Sequence, residues 1–282
     1  MNAPIGIFDS GLGGLSVLRL LPAALPGERF VYVADSGRAP YGGREPSEIT
    51  AFSIEIADVL LSTLGCRALV IACNTATAAA ANRLRDRYPT TPIIGMEPAV
   101  KPAAAATRRG VIGIMATAST IHSDRYGELL GRYGRQLKVV EDPCLGLVEL
   151  IESGVSGSAL HDTLEAITAP MLAAGADTIV LGCTHFPLVR HELQDLLGDE
   201  VRLIDPAPAV ARELARRIRL ESPPLPALPG KRLPHVFLTS GDLSAFRQNV
   251  TRLVPHLAAD AVFGVLAEAE SIMSPPSPNS ST

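Results

Sequence analysis

Two segments of this 282-residue chain repeat one short pattern, and that pattern constrains the fold more than any other feature. Leu69-Val-Ile-Ala-Cys73-Asn-Thr-Ala and Ile179-Val-Leu-Gly-Cys183-Thr-His-Phe each follow a glycine, Gly65 or Gly175. Each runs through an apolar stretch too short for a helix and delivers a cysteine into small residues. Apolar runs of that length read as strands of a parallel sheet buried on both faces. In open α/β sheets, ligands bind beyond the carboxyl ends of the strands, which is where both cysteines would stand. The similarity extends further. Ile5-Gly-Ile-Phe-Asp9-Ser10 aligns with Ile112-Gly-Ile-Met-Ala116-Thr117, and Ile94 with Pro98-Ala-Val100 aligns with Ile204 and Pro208-Ala-Val210. Three matched strand ends predict a duplication. The expected fold is α/β, with two similar parallel-sheet domains related by a pseudo-two-fold and the functional site in the cleft between them.

A chain of this length fits roughly two domains of about 150 residues each. With 47% hydrophobic and 19% charged residues, both can fill a core. Proline-containing segments near Pro98 and Pro208 are the expected crossing points. The first domain is therefore expected at 1–97 plus 208–268, the second at 98–207, and a disordered tail at 269–282. Ser222 to Pro234 reads as a Pro-rich linker. The formal net charge of −4 offers no basic surface for nucleic acid or anionic lipid. No signal peptide or bilayer-spanning run is evident, so a cytoplasmic protein without nucleic-acid or membrane partners is expected.

The strand ends carry the chemistry. Asp9-Ser10-Gly-Leu-Gly-Gly turns into a helix, but the spacing is not the dinucleotide fingerprint and Asp9 would repel a phosphate. Free backbone amides at that helix start can instead hold a small anion. The loop Asp35 to Arg44, with Pro40, Tyr41 and Gly42, lets backbone approach a ligand. Cys73 precedes an Ala-rich helix, whose N-terminus lowers a thiol pKa. Thr117, Ser119 and Thr120 place hydroxyls at the end of the second half's leading strand, and Glu149 and Glu152 sit on a helix start, ordinarily a solvated face.

Several roles compete for the two thiols. A metal site needs three or four ligands, and the Asn, Thr and Pro neighbours of Cys73, Cys183 and His185 offer none. Four cysteines without Cys-x-x-Cys spacing read as free thiols and give a redox pair no help. A single-thiol acyl transferase with His185 as base leaves the second cysteine idle. The three lysines lie outside the strand-end motifs, against a Schiff-base cofactor. Buried structural cysteines are the plainest alternative. The reading that uses the symmetry is proton transfer at a chiral carbon, which needs a base on one face and an acid on the other. Thiols, with an unperturbed pKa of about 8.5, suit both roles.

The combination of Gly6-Ile-Phe-Asp9-Ser10-Gly-Leu-Gly-Gly-Leu-Ser, Ala39-Pro40-Tyr41-Gly42, Cys73-Asn74-Thr75-Ala76, Thr117 with Thr120, Gly182-Cys183-Thr184-His185-Phe-Pro-Leu and Thr239-Ser-Gly-Asp242 closely resembles the glutamate racemases. The resemblance spans roughly residues 5 to 245. It implies a cofactor-independent racemase that makes D-glutamate for peptidoglycan. On that resemblance Cys73 acts on the D-enantiomer and Cys183 on the L-enantiomer, assisted by Asp9, His185 and Glu152. Asp9, Ser10, Pro40, Tyr41, Gly42, Asn74, Thr75, Thr117, Thr120, Thr184 and His185 would line the substrate site, with no metal. Ala116 stands where the family commonly has Gly, and Glu149 where it commonly has Pro. A homodimer is one assembly compatible with the resemblance. Two other functions stay open: racemisation of another small acid such as aspartate, and an added non-catalytic binding role.

Overall fold

A computed structural model describes residues 3–221 and 234–273. The expected linker at 222–234 lies outside them apart from Pro234. Among the described residues ten strands form two sheets, and every strand pairing is parallel. In chain order they are β1 (Ile5–Asp9), β2 (Phe30–Ala34), β3 (Ala68–Ile71), β4 (Ile93–Gly95), β5 (Val111–Met115), β6 (Lys138–Asp142), β7 (Thr178–Leu181), β8 (Arg202–Ile204), β9 (Val236–Thr239) and β10 (Val262–Val265). The larger sheet has the order β10-β9-β2-β1-β3-β4, and the smaller one β6-β5-β7-β8.

The duplication is visible in those orders. The run β2-β1-β3-β4 recurs as β6-β5-β7-β8, and β3 and β7, the strands that lead to Cys73 and Cys183, each lie beside the leading strand of their sheet. Beyond the repeat, β9 and β10 extend the larger sheet past β2, so the chain after β8 returns to the first lobe.

Why these runs are strands follows from their burial. All residues of β1, β2, β3 and β7 are buried. Alternate residues enter separate cores: Ile7, Tyr32 and Val70 on one face of the larger sheet, Phe8, Val33 and Ile71 on the other. The smaller sheet divides likewise, with Ile179 and Leu181 on one side and Ile114 and Val180 on the other. A two-sided core explains the near-continuous apolar sequence.

The expected tail is corrected at its start. Residues Ala269–Met273 form a short helix, with Ala269 3% exposed and Ile272 packed on the core of the larger sheet. Two apolar residues three apart present one helical face, and the Ser/Pro-rich composition begins only after Met273. Residues 274–282 lie outside the described residues. Among the described residues, no helix is long and apolar enough to cross a membrane.

One glycine sets the spacing at the site. The Gly182 amide donates to the Met115 carbonyl at 2.7 Å. A Cβ added at Gly182 would lie 2.7 Å from that oxygen and 2.9 Å from the Ala116 Cβ. The ends of β5 and β7 can therefore close together only if residue 182 has no side chain. We expect Gly182→Ala to lower unfolding free energy by about 1–3 kcal/mol, the usual cost of overpacking. A urea midpoint equal to that of the parent would contradict this.

Candidate active site

Cys73 and Cys183 leave β3 and β7 two residues after each strand ends and line the same cavity, of about 240 Å3. Their local settings differ. Cys73 caps the helix Asn74–Arg87, and its sulfur accepts the Ala76 amide at 3.4 Å. The Ser10 hydroxyl stands 3.8 Å from the same sulfur. Cys183 instead precedes a tight turn into the 3-10 segment Phe186–Val189, and its sulfur lies 3.7 Å from His185 Nδ1.

Two carboxylates stand behind these groups. Asp9 is fully buried, accepts the Gly11 amide at 2.8 Å and accepts the Thr184 hydroxyl from the other lobe at 3.0 Å. Glu152 ends the short helix Leu147–Glu152. One of its oxygens meets both His185 Nε2, at 2.7 Å, and the Leu12 amide of the opposite lobe, at 3.0 Å. The Asp9–Thr184 and Leu12–Glu152 contacts cross from one lobe to the other, and the His185–Glu152 contact lies within the second. The turn between them is sterically full: a Cβ on Gly13 would meet the Thr184 hydroxyl at 2.5 Å and His185 Nδ1 at 2.6 Å.

Burial and charge give the two thiols unlike environments. The Cys73 thiol is pushed up to about 12 by burial, with the Asp9 charge adding to it. The helix N-terminus was expected to lower it. The Ala76 amide does act in that direction, but desolvation outweighs one hydrogen bond. Burial also raises the Asp9 carboxyl, against the opposing pull of His185, Gly11 and Thr184. For His185, burial alone would lower the pKa. Hydrogen bonds to Cys183 and Glu152 and the nearby negative charge outweigh it and hold the imidazole well above its ordinary value. Glu152 is correspondingly held below the usual carboxylate range, its burial overcome by the bond to His185.

Among the residues expected from sequence, Ser10, Pro40, Tyr41, Gly42, Asn74, Thr75, Thr117, Thr184 and His185 line the cavity with the two cysteines. Asp9, Thr120 and Glu152 stand one layer back. Asp9 is hydrogen-bonded to Thr184 and Glu152 to His185, while Thr120 joins a hydroxyl cluster with Thr75 and Thr117. Tyr41 is buried, with its hydroxyl on the Asp35 carboxylate. Asn74 is 3% exposed, and neither polar atom of its side chain has a partner among the described residues. A buried, unpaired amide on a cavity wall is a place for a ligand.

Sequence reasoning missed the wall formed by Pro143, Cys144, Leu145 and Gly146. Cys144 adopts a left-handed backbone with φ of 48°, and its amide donates to Asp142 Oδ1 at 2.7 Å. The signal was in the repeat. β6 is the counterpart of β2, so the loop after β6 faces the cleft as the Pro40–Gly42 loop after β2 does.

Thiols presented from two duplicated α/β lobes define the racemase class. The Asp/Glu/Hydantoin racemase family profile matches residues 14–214, and the chain belongs to that family. Within it, a glutamate racemase of Ectopseudomonas mendocina is 52% identical over 216 residues, covering 76% of this chain and 82% of that protein. A crystal structure of a glutamate racemase from Bacillus anthracis superposes with a TM-score of 0.81 at 31% identity, over 93% of this chain and 96% of its own. The Escherichia coli glutamate racemase, solved with L-glutamate and an activator, gives a TM-score of 0.81 at 28% identity, over 93% and 98%.

The His185–Glu152 pair has a signed pH signature. Because folding raises the imidazole pKa, the stability it contributes is fully present below about 6.5 and is lost as pH rises through the folded-state value. The lowered carboxyl contributes above about 4.5, and that share is lost as pH falls through its folded value. Nitrogen-detected NMR should show His185 still protonated above pH 6.5, and Glu152→Gln should move its titration downward. An unmoved titration would remove Glu152 as the cause.

Proposed function

We propose that the chain interconverts L- and D-glutamate by passing the α-proton between Cys73 and Cys183, without a cofactor. Acting in the cytoplasm, it would supply D-glutamate for peptidoglycan. The observation that carries this reading is the pair of thiols, delivered by matched strands of separate sheets to one cavity. We take the two domains to be residues 1–97 with 208–268, and residues 98–207.

In the L-to-D direction Cys183, as thiolate, removes the α-proton from one face. The electron pair left on Cα is delocalised into the α-carboxylate, and the Cys73 thiol delivers a proton to the opposite face. The product leaves with Cys183 protonated and Cys73 as thiolate, and the D-to-L direction reverses each step. A Cys73 thiol held near 12 is protonated at neutral pH and ready to donate. His185, 3.7 Å from the Cys183 sulfur, stands where it can share that proton, and Glu152 steadies the imidazolium.

Among the described residues, no Arg or Lys lines the cavity. The substrate carboxylates are then held by neutral donors: the Asn74 amide, the hydroxyls of Ser10, Thr75 and Thr184, and the backbone at Gly42. Donors of this kind are fixed in space. A side-chain carboxylate one methylene shorter cannot reach its partners while keeping Cα between the thiols, and each unpaired polar group costs on the order of 1–3 kcal/mol. We expect kcat/KM for aspartate to fall at least tenfold below that for glutamate. Comparable values would transfer the assignment to another small acid.

Chiral chromatography of the purified protein with L-glutamate tests the activity directly. In deuterated water each turnover should place deuterium on Cα. Cys73→Ala and Cys183→Ala should each abolish racemisation, and near-parental turnover by either variant would end the two-thiol mechanism. The pH profile of kcat/KM should be bell-shaped, reporting the coupled pair.

A further inference from the structure

On the floor of the cleft the lobes are joined through Asp9 with Thr184 and Leu12 with Glu152. A different contact joins them at the rim. Ser119, in the short helix Ala118–Ile121, donates to the Gly42 carbonyl oxygen from its hydroxyl at 2.6 Å and from its amide at 3.4 Å. Beside it, the Thr75 hydroxyl of one lobe meets Thr117 and Thr120 of the other at 2.9 and 3.3 Å. A Cβ at Gly42 would stand 3.1 Å from the Thr117 side chain, so the surfaces are already close.

Ser119 is only half-buried and does not line the cavity, whereas Gly42 and Gly43 do. Among the described residues, neither glycine amide donates to a protein acceptor. A trans peptide is planar, with its C=O and N–H pointing opposite ways. Holding the Gly42 carbonyl therefore fixes the direction in which the Gly43 amide can donate.

We propose that Ser119 is a positioning residue that latches the rim of the cleft shut, orienting the Gly42–Gly43 peptide toward the substrate and holding the two lobes closed. The inference rests on the racemase reading of the cleft and adds a residue that touches neither the reacting carbon nor the thiols. Without the latch the free protein spends less time closed, so part of the substrate's binding energy is used to close it. Once closed, the thiols and Cα keep their geometry.

The test is Ser119→Ala, which suits a helical position, with Ser119→Thr as the variant that keeps the hydroxyl. One hydrogen bond of ordinary net strength predicts about a fivefold fall in the closed-to-open ratio, divided between a rise in KM for both glutamate enantiomers and a rise in thiol accessibility, so that the product of the two ratios is about five. The same change should leave kcat within about twofold, and threonine should restore KM. A merely structural defect would instead lower kcat through loss of active protein. A second readout needs no turnover: alkylation of Cys73 and Cys183 by iodoacetamide, followed by peptide mass spectrometry, should be faster in Ser119→Ala by the share of the fivefold that KM does not take. KM and alkylation both unchanged, a product of the two ratios near one, or a fall in kcat with neither changed would each overturn the latch. If the parent protein does not racemise glutamate, the functional reading fails and alkylation alone decides: faster modification sustains the latch, and equal rates reject it.

Discussion

A buried carboxylate holds the two halves of this protein in register. Asp9 ends the first strand of one lobe with no exposure to solvent, and its two oxygens face different bodies: one takes the Gly11 amide of its own turn, the other the Thr184 hydroxyl from beside the opposite thiol. Burying such a group is costly unless its lone pairs are used. Both oxygens are used, and one of them only while the lobes are together. Separation would leave the carboxylate half-satisfied, so the docking of the lobes and the solvation of Asp9 are one equilibrium.

The fold is symmetric where it must place atoms and asymmetric where it must tune them. Matched strands bring the sulfurs to one cavity. The surroundings then diverge. Cys73 lies at a helix start against Ser10 and near Asp9, an environment that keeps its proton on. Cys183 lies against an imidazole that is itself propped by Glu152. Duplication alone would give two equal thiols. The local loops give the two sulfurs different neighbours.

Much of this was legible in the chain. The Gly-bounded apolar runs before Cys73 and Cys183 can be buried only as interior strands, and they are. The reversed helix-dipole expectation shows where sequence runs out: a residue's position at a helix start is local, whereas its desolvation depends on everything packed around it. The Pro143–Gly146 wall was missed because a Cys in a left-handed turn leaves no compositional mark. Ala269–Met273 was read with the Ser/Pro tail because two apolar residues in five are too few to show a period, although Ile272 reaches the core.

The crowding of Gly11 to Gly14 has a further consequence. A single methyl at Gly11 would fall 2.1 Å from a Glu152 oxygen, and one at Gly14 would fall 2.7 Å from the Asp9 Cβ. That turn takes no side chain without displacing Glu152 or Asp9. The cavity lining itself is open to variation at Leu145, which is 79% exposed. A small molecule meant to distinguish this protein from others with the same floor would have to draw its selectivity from Leu145 and its neighbours, because the glycine turn leaves no room for a distinguishing side chain.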